Sequence, residues 1–166
     1  NLEQAYILDL GRESNNRNNE YLSLARMVAH KTYISLELLS NRAKSETLYD
    51  DDLIKGFLST PQESYMMHQG EKFIERFTPE SYLSIIKGWQ NFKIEQEDLN
   101  KLKDIESLII SVDSDVCFYP DEQKEFLEVL NNHEIKTTYT TINSTKGHDS
   151  FLLEPELFED TLKNFL

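Results

Sequence analysis

A single cysteine, Cys117, stands in 166 residues. One thiol excludes an internal disulfide and a cysteine-rich zinc site, and its use fits a reducing, cytoplasmic compartment. Positive charge is scarce: 17 Lys and Arg face 30 Asp and Glu, a formal net charge of −13. No basic cluster offsets that excess locally, so nucleic acid is not expected as a partner. Long apolar runs are missing too. The longest aliphatic one, Leu108-Ile109-Ile110, falls far short of the roughly 20 residues a membrane-spanning helix needs. No basic and apolar targeting segment opens the chain. It starts at Asn1, not Met, inside sequence that already reads as ordered, and is expected to be a fragment or a trimmed chain.

What is present changes texture near residue 103. In the first part, residues 1–20 read as a loop or weakly ordered lead-in, because Asn15, Asn16, Asn18 and Asn19 crowd around Arg17. Leu22, Ala25, Ala29 and Tyr33 then recur at three- and four-residue spacing, with Met27 between them, which predicts a helix over about 20–32. A short helix over Leu36–Ala43 and an acidic turn at Asp50-Asp51-Asp52 follow. Thr60-Pro61-Gln62-Glu63 is a helix start: a capping hydroxyl, proline in the first position, and a carboxylate three residues past the cap. Thr78-Pro79-Glu80-Ser81 repeats it. Residues 1–103 are therefore expected to be all-helical.

Residues 104–166 follow another pattern. Ser107–Val112 is a nearly continuous apolar run, as expected of a buried strand. Pro120–Asn132 is amphipathic, Ile135–Ile142 has the Thr, Tyr and Ile content of a strand, and Glu156–Leu166 reads as a closing helix. Strand, helix, strand, helix predicts a parallel βαβα unit, giving an α/β fold class for this part. Two strands make a marginal sheet alone, a second sign of a missing portion.

Loops leaving the carboxyl ends of parallel strands converge at one edge. One such loop carries Asp115 and the other His148. A carboxylate beside an imidazole fixes its tautomer and stabilises its charged form when the ring acts as a general base. Taken singly, Asp115 also reads as a turn former and His148 as a surface residue. His68 and His133 read as helix-surface residues and His30 as an interior or interface one. No pair has metal-ligand spacing with a supporting carboxylate, so no metal is expected.

Ser114-Asp115-Val116-Cys117-Phe118 with Pro120 and Gln123 resembles the Ser-Asp-x-Leu-Phe-Pro segment of the homoserine O-acetyltransferase family, a group with the α/β-hydrolase fold. Gly147-His148-Asp149-Ser150-Phe151-Leu152-Leu153-Glu154 resembles its Gly-His-Asp-x-Phe-Leu block. Residues 24–33 and 63–77 resemble its lid helices. The resemblance implies the carboxyl-terminal part of an α/β-hydrolase fold preceded by a helical lid. It also implies acetyl transfer from acetyl-CoA, a co-substrate and not a tightly bound cofactor, to L-homoserine in methionine biosynthesis. Asp115 would orient His148, and His148 would deprotonate first a serine and then the homoserine hydroxyl. Arg26, joined by Tyr33 two helical turns on, would hold the substrate carboxylate, and Asp149 its amine.

The departures are specific. The family's serine sits on a Gly-x-Ser-x-Gly elbow, and none of the five glycines here flanks a serine in that pattern. The oxyanion-hole segment is also absent, and Cys117 and Tyr119 replace the usual Leu and Pro. The expected partner is thus an amino-terminal half carrying the serine, and the 166 residues alone are expected to be inactive. Other acyl chemistry on the same scaffold, with a succinyl donor, a serine acceptor or hydrolysis, remains open. So does a non-catalytic helical interaction module, since Tyr65, Met66, Met67, Phe73, Tyr82 and Trp89 offer surface for an interface such as that of a homodimer.

Overall fold

The computed structural model describes residues 2–14, 17–45 and 60–166, the side chains of residues 44 and 45 excepted. The acidic turn at Asp50-Asp51-Asp52 and the pair Asn15 and Asn16 lie outside the described residues. The chain divides into two compact units, residues 1–31 with 36–92, and residues 32–35 with 93–166.

The elements of the first unit are all helices among its described residues: α1 (Leu2–Glu13), α2 (Asn18–Tyr33, whose last two residues belong to the second unit), α3 (Leu36–Ser45), α4 (Pro61–Ile74) and α5 (Pro79–Asn91). Both expected helix starts form. Thr60 accepts from the Glu63 backbone N–H while the Glu63 carboxylate accepts from Thr60 N–H, and Thr78 and Ser81 make the same reciprocal pair for α5. Such boxes satisfy N–H groups that the helix itself leaves without partners. Leu8, Leu22, Ala25, Phe73, Tyr82, Leu83 and Ile86 form the core of this unit, with Phe73 stacked on Phe77 and edge-on to Tyr82.

The amino-terminal lead-in is not a loop. Leu2–Glu13 is a helix, and Asn18 and Asn19 begin the next one. The face that α1 buries carries Gln4, Leu8 and Gly11, spaced four and three apart but with one apolar side chain among them. Gln4 Oε1 takes the Tyr82 hydroxyl hydrogen at 2.5 Å, which satisfies a buried amide.

The second unit holds α6 (Gln96–Lys101), β1 (Ser107–Val112), α7 (Pro120–Asn132), β2 (Thr137–Ile142), a 3-10 turn (Gly147–Asp149), α8 (Ser150–Leu153) and α9 (Glu156–Phe165). Strands β1 and β2 pair in parallel with Ser107 opposite Thr137 and Val112 opposite Ile142. Helix α7 is the crossover, and its Leu130 packs with Leu99, Ile109 and Ile135. A second cluster joins Val112 and Ile142 to Phe158 of α9. This is the expected βαβα arrangement, and it ends both strands side by side.

Candidate functional site

Because β1 and β2 end in register, the loops that follow them leave from one edge. The ladder continues one residue further, with Asp113 N–H donating to Ile142 O at 3.0 Å. The loops are then tied to each other through side chains. Asp113 Oδ1 accepts from Ser144 N–H at 3.0 Å and its Oδ2 from the Asn143 amide at 2.6 Å. The Ser114 hydroxyl donates to Ser144 O and accepts the Gly147 N–H at 3.0 Å. On the far side of the turn, Ser150 Oγ donates to Gly147 O at 2.8 Å. Gly147 itself has φ +74°, a conformation glycine adopts without steric cost.

This framework brings the two expected site residues together. His148 Nδ1 lies 2.9 Å from Asp115 Oδ2. Asp115 is buried, with 7% exposure, and its other oxygen accepts backbone N–H groups from Cys117 at 2.7 Å and Phe118 at 3.0 Å. Three donors around one carboxylate leave it little freedom to turn, and a buried charge requires such partners. The His148 ring is packed by Phe118 at 5.1 Å between centroids, Phe151 edge-on at 5.9 Å, and Tyr33 at 6.2 Å. A cavity of about 310 Å³ opens against the pair, lined by Asp115, Phe118, Gln123, His148, Phe151 and Phe158 among others.

The remaining expected residues are placed as follows. Asp149 is half-buried and follows His148 on the same 3-10 turn. Tyr33, at the end of α2, contributes its ring beside His148. Arg26 lies earlier on α2, in the first unit, with its guanidinium 5.1 Å from the centre of the Phe73 ring and one N–H group 3.3 Å from His30 Nδ1. Ser114, Phe118 and Phe151, which enter the sequence pattern only as motif letters, have roles in the fold: Ser114 ties the loops together and the two phenylalanines bracket the imidazole. Their signal was adjacency to the acid and the base.

Cys117 carries a free thiol beside Asp115. Burial, and next the Asp115 carboxylate, push its thiol pKa above the ordinary value. That keeps it protonated and poorly nucleophilic at neutral pH. Among the described residues no group of three or more His, Cys, Asp or Glu could hold a metal ion, and no helix is long and apolar enough to cross a membrane.

No family model matches the chain. Individual relatives do. A homoserine O-acetyltransferase from Pelagibacter ubique is 38% identical over 159 residues, 92% of this chain and 43% of that protein. One from Methanobrevibacter ruminantium is 37% identical over 150 residues, 87% of this chain and 31% of that protein. The chain is a relative of the homoserine O-acetyltransferases. It spans less than half the length of these relatives. A homoserine O-succinyltransferase from Magnetococcus marinus is 35% identical over 151 residues, 87% of this chain and 38% of that protein. Among solved structures, the homoserine O-acetyltransferase of Bacillus anthracis superposes with a TM-score of 0.76 over 98% of this chain and 46% of its own, at 15% identity. Esterase E22 superposes with a TM-score of 0.80 over 98% of this chain and 48% of its own, at 14% identity. These two likenesses establish the fold: this homoserine O-acetyltransferase relative has the fold of part of an α/β-hydrolase, as its sequence predicts.

Proposed function

We propose that this chain supplies the acid and the base of an acyltransferase that moves an acetyl group from acetyl-CoA to the hydroxyl of L-homoserine. The single observation that carries the reading is the 2.9 Å contact of His148 Nδ1 with Asp115 Oδ2 at the rim of two parallel strands. Asp115, acceptor-only when ionised, keeps the proton on Nδ1, which leaves Nε2 as the base. In the first half-reaction Nε2 takes the hydroxyl proton of a serine as that oxygen attacks the thioester carbonyl, then returns it to the departing CoA sulfur. In the second, Nε2 takes the homoserine hydroxyl proton as that oxygen attacks the acyl-serine ester, and the proton passes back to the serine. The serine belongs to the part of the relatives that this chain does not span. Acetyl-CoA is consumed as a co-substrate, with no tightly bound cofactor.

Arg26 holds the substrate carboxylate, because a guanidinium fork makes two parallel charge-assisted hydrogen bonds to it. Tyr33 lines the same ligand, and Asp149 pairs with its amine. Residues 1–103 are the helical lid region and residues 104–166 the carboxyl-terminal portion of the hydrolase core, and the lid helices pair two copies into a homodimer. The reaction sits in the cytoplasm, in methionine biosynthesis.

The test is release of CoA from acetyl-CoA in the presence of L-homoserine, measured on the intact protein that contains these residues and on its His148→Ala variant. Homoserine-dependent release that disappears with His148 supports the reading. Release that is indifferent to homoserine, or to His148, refutes it. A succinyl donor is the second reading, favoured by the relative named homoserine O-succinyltransferase. Succinyl-CoA in place of acetyl-CoA in the same assay separates the two.

A further inference from the structure

We propose that His30 is a positioning residue that aims the Arg26 guanidinium at the substrate carboxylate. The inference rests on the role given to Arg26 above, and it adds a residue that does not itself touch substrate.

Three contacts within the helical unit carry it. The Arg26 guanidinium sits over the Phe73 ring, 5.1 Å from its centre, a cation–π contact that restrains it. One terminal nitrogen of that fork lies 3.3 Å from His30 Nδ1, one turn further along α2. On the other side of the imidazole, Nε2 lies 3.3 Å from the hydroxyl of Tyr65 on α4, with the two rings 5.7 Å apart. The protonation pattern follows from the donors. A guanidinium nitrogen can only donate, so Nδ1 accepts, and the ring proton resides on Nε2 and is given to Tyr65.

Burial makes the arrangement rigid. His30 is 4% exposed and Tyr65 1% exposed. Burial above all, with the Arg26 and Arg42 charges, holds the His30 pKa down to about 4. The ring is therefore neutral at physiological pH and able to accept. A flexible arginine would lose rotamer freedom on gripping a ligand. Held by Phe73 and by the Tyr65–His30 relay, Arg26 has lost it beforehand, and a guanidinium with five donors can still engage a carboxylate. His30→Leu removes the acceptor. His30→Asn returns one, since Oδ1 of asparagine occupies nearly the place of Nδ1.

The test is steady-state kinetics on the intact protein with acetyl-CoA and L-homoserine, on Arg26→Ala, His30→Leu, His30→Asn and the Arg26→Ala/His30→Leu double variant. The expected result is a homoserine KM raised about tenfold in His30→Leu, the loss of one hydrogen bond to a charged group. The acetyl-CoA KM and kcat stay within about twofold, His30→Asn recovers most of the loss, and His30→Leu adds nothing once Arg26 is gone. A merely structural histidine would move kcat and both KM values together, without rescue by asparagine, and that outcome overturns the inference. If Arg26→Ala raises the homoserine KM but His30→Leu leaves it unchanged, the positioning role fails while the substrate reading stands. If Arg26→Ala leaves it unchanged, the substrate reading fails first. Should His30→Leu not fold, His30→Gln replaces it: its acceptor lies one methylene too far out, and it is expected to raise the homoserine KM where His30→Asn does not.

Discussion

Asp115 gives one carboxylate oxygen to His148 and the other to the backbone of its own loop: Oδ2 lies 2.9 Å from His148 Nδ1, while Oδ1 accepts the Cys117 and Phe118 N–H groups. The two oxygens can be separated by substitution. In Asp115→Asn, the amide oxygen keeps the loop bonds and the amide N–H faces His148. That donor forces Nδ1 to accept, moves the ring proton to Nε2 and leaves no base. Turnover should fall by about four orders of magnitude with little change in the urea midpoint. An equal loss of fold and turnover would show that the loop, not the tautomer, is what Asp115 maintains.

Ser114 stands next to that acid and fastens the other loop. Its hydroxyl donates to Ser144 O and accepts from Gly147 N–H, one residue before His148. Ser114→Ala strands both backbone groups and should cost about 1–3 kcal/mol of stability. Because the fastening holds the turn that aims His148, kcat should also fall in urea-free buffer, where the protein is fully folded. Unchanged kcat in the folded variant would limit Ser114 to stability.

Gly147→Ala tests the turn itself. At φ +74° an added Cβ is strained whatever the space, and here it would lie 2.8 Å from Ser35 N and 3.1 Å from Ile34 C, both backbone. Neither atom can yield as a flexible side chain would. A loss of about 1–3 kcal/mol is expected from the backbone conformation alone, with the overlap adding to it, and the urea midpoint reads it.

Helix starts and the parallel unit were legible because their signals are local. Thr60 with Glu63 and Thr78 with Ser81 are short-range pairs, and Ser107–Val112 is a nearly continuous apolar run; each forms where the pattern places it. The meeting of Asp115 with His148 was legible through one further step, since parallel strands deliver their loops to one edge. Helix α1 was not: the asparagines around Arg17 masked it, and although Leu8 packs in the core with Ala5 and Ile7 against it, the face it buries also carries Gln4, bonded to Tyr82 across the unit, and Gly11, which no apolar periodicity announces. The Arg26–His30–Tyr65 relay was hidden for the same reason: Tyr65 lies 35 residues beyond His30, and only packing joins them.

The buried imidazole of His30 also predicts how stability depends on pH. Its ordinary value is 6.5, and in the folded protein burial, Arg26 of its own helix and Arg42 of α3 lower it to about 4. The Tyr65 hydroxyl of α4 faces the ring at 3.3 Å. Between the two values the unfolded chain binds a proton that the folded chain refuses, so protonation favours unfolding. The contribution of the neutral ring is complete above pH 6.5 and is lost progressively as pH falls towards 4. From about pH 7.5 to about pH 5 the loss from this group is at most about 2 kcal/mol. His30→Gln cannot titrate, so urea midpoints of that variant should fall less steeply over the interval than those of the unsubstituted protein. Parallel slopes would mean that the His30 proton equilibrium is the same in both states.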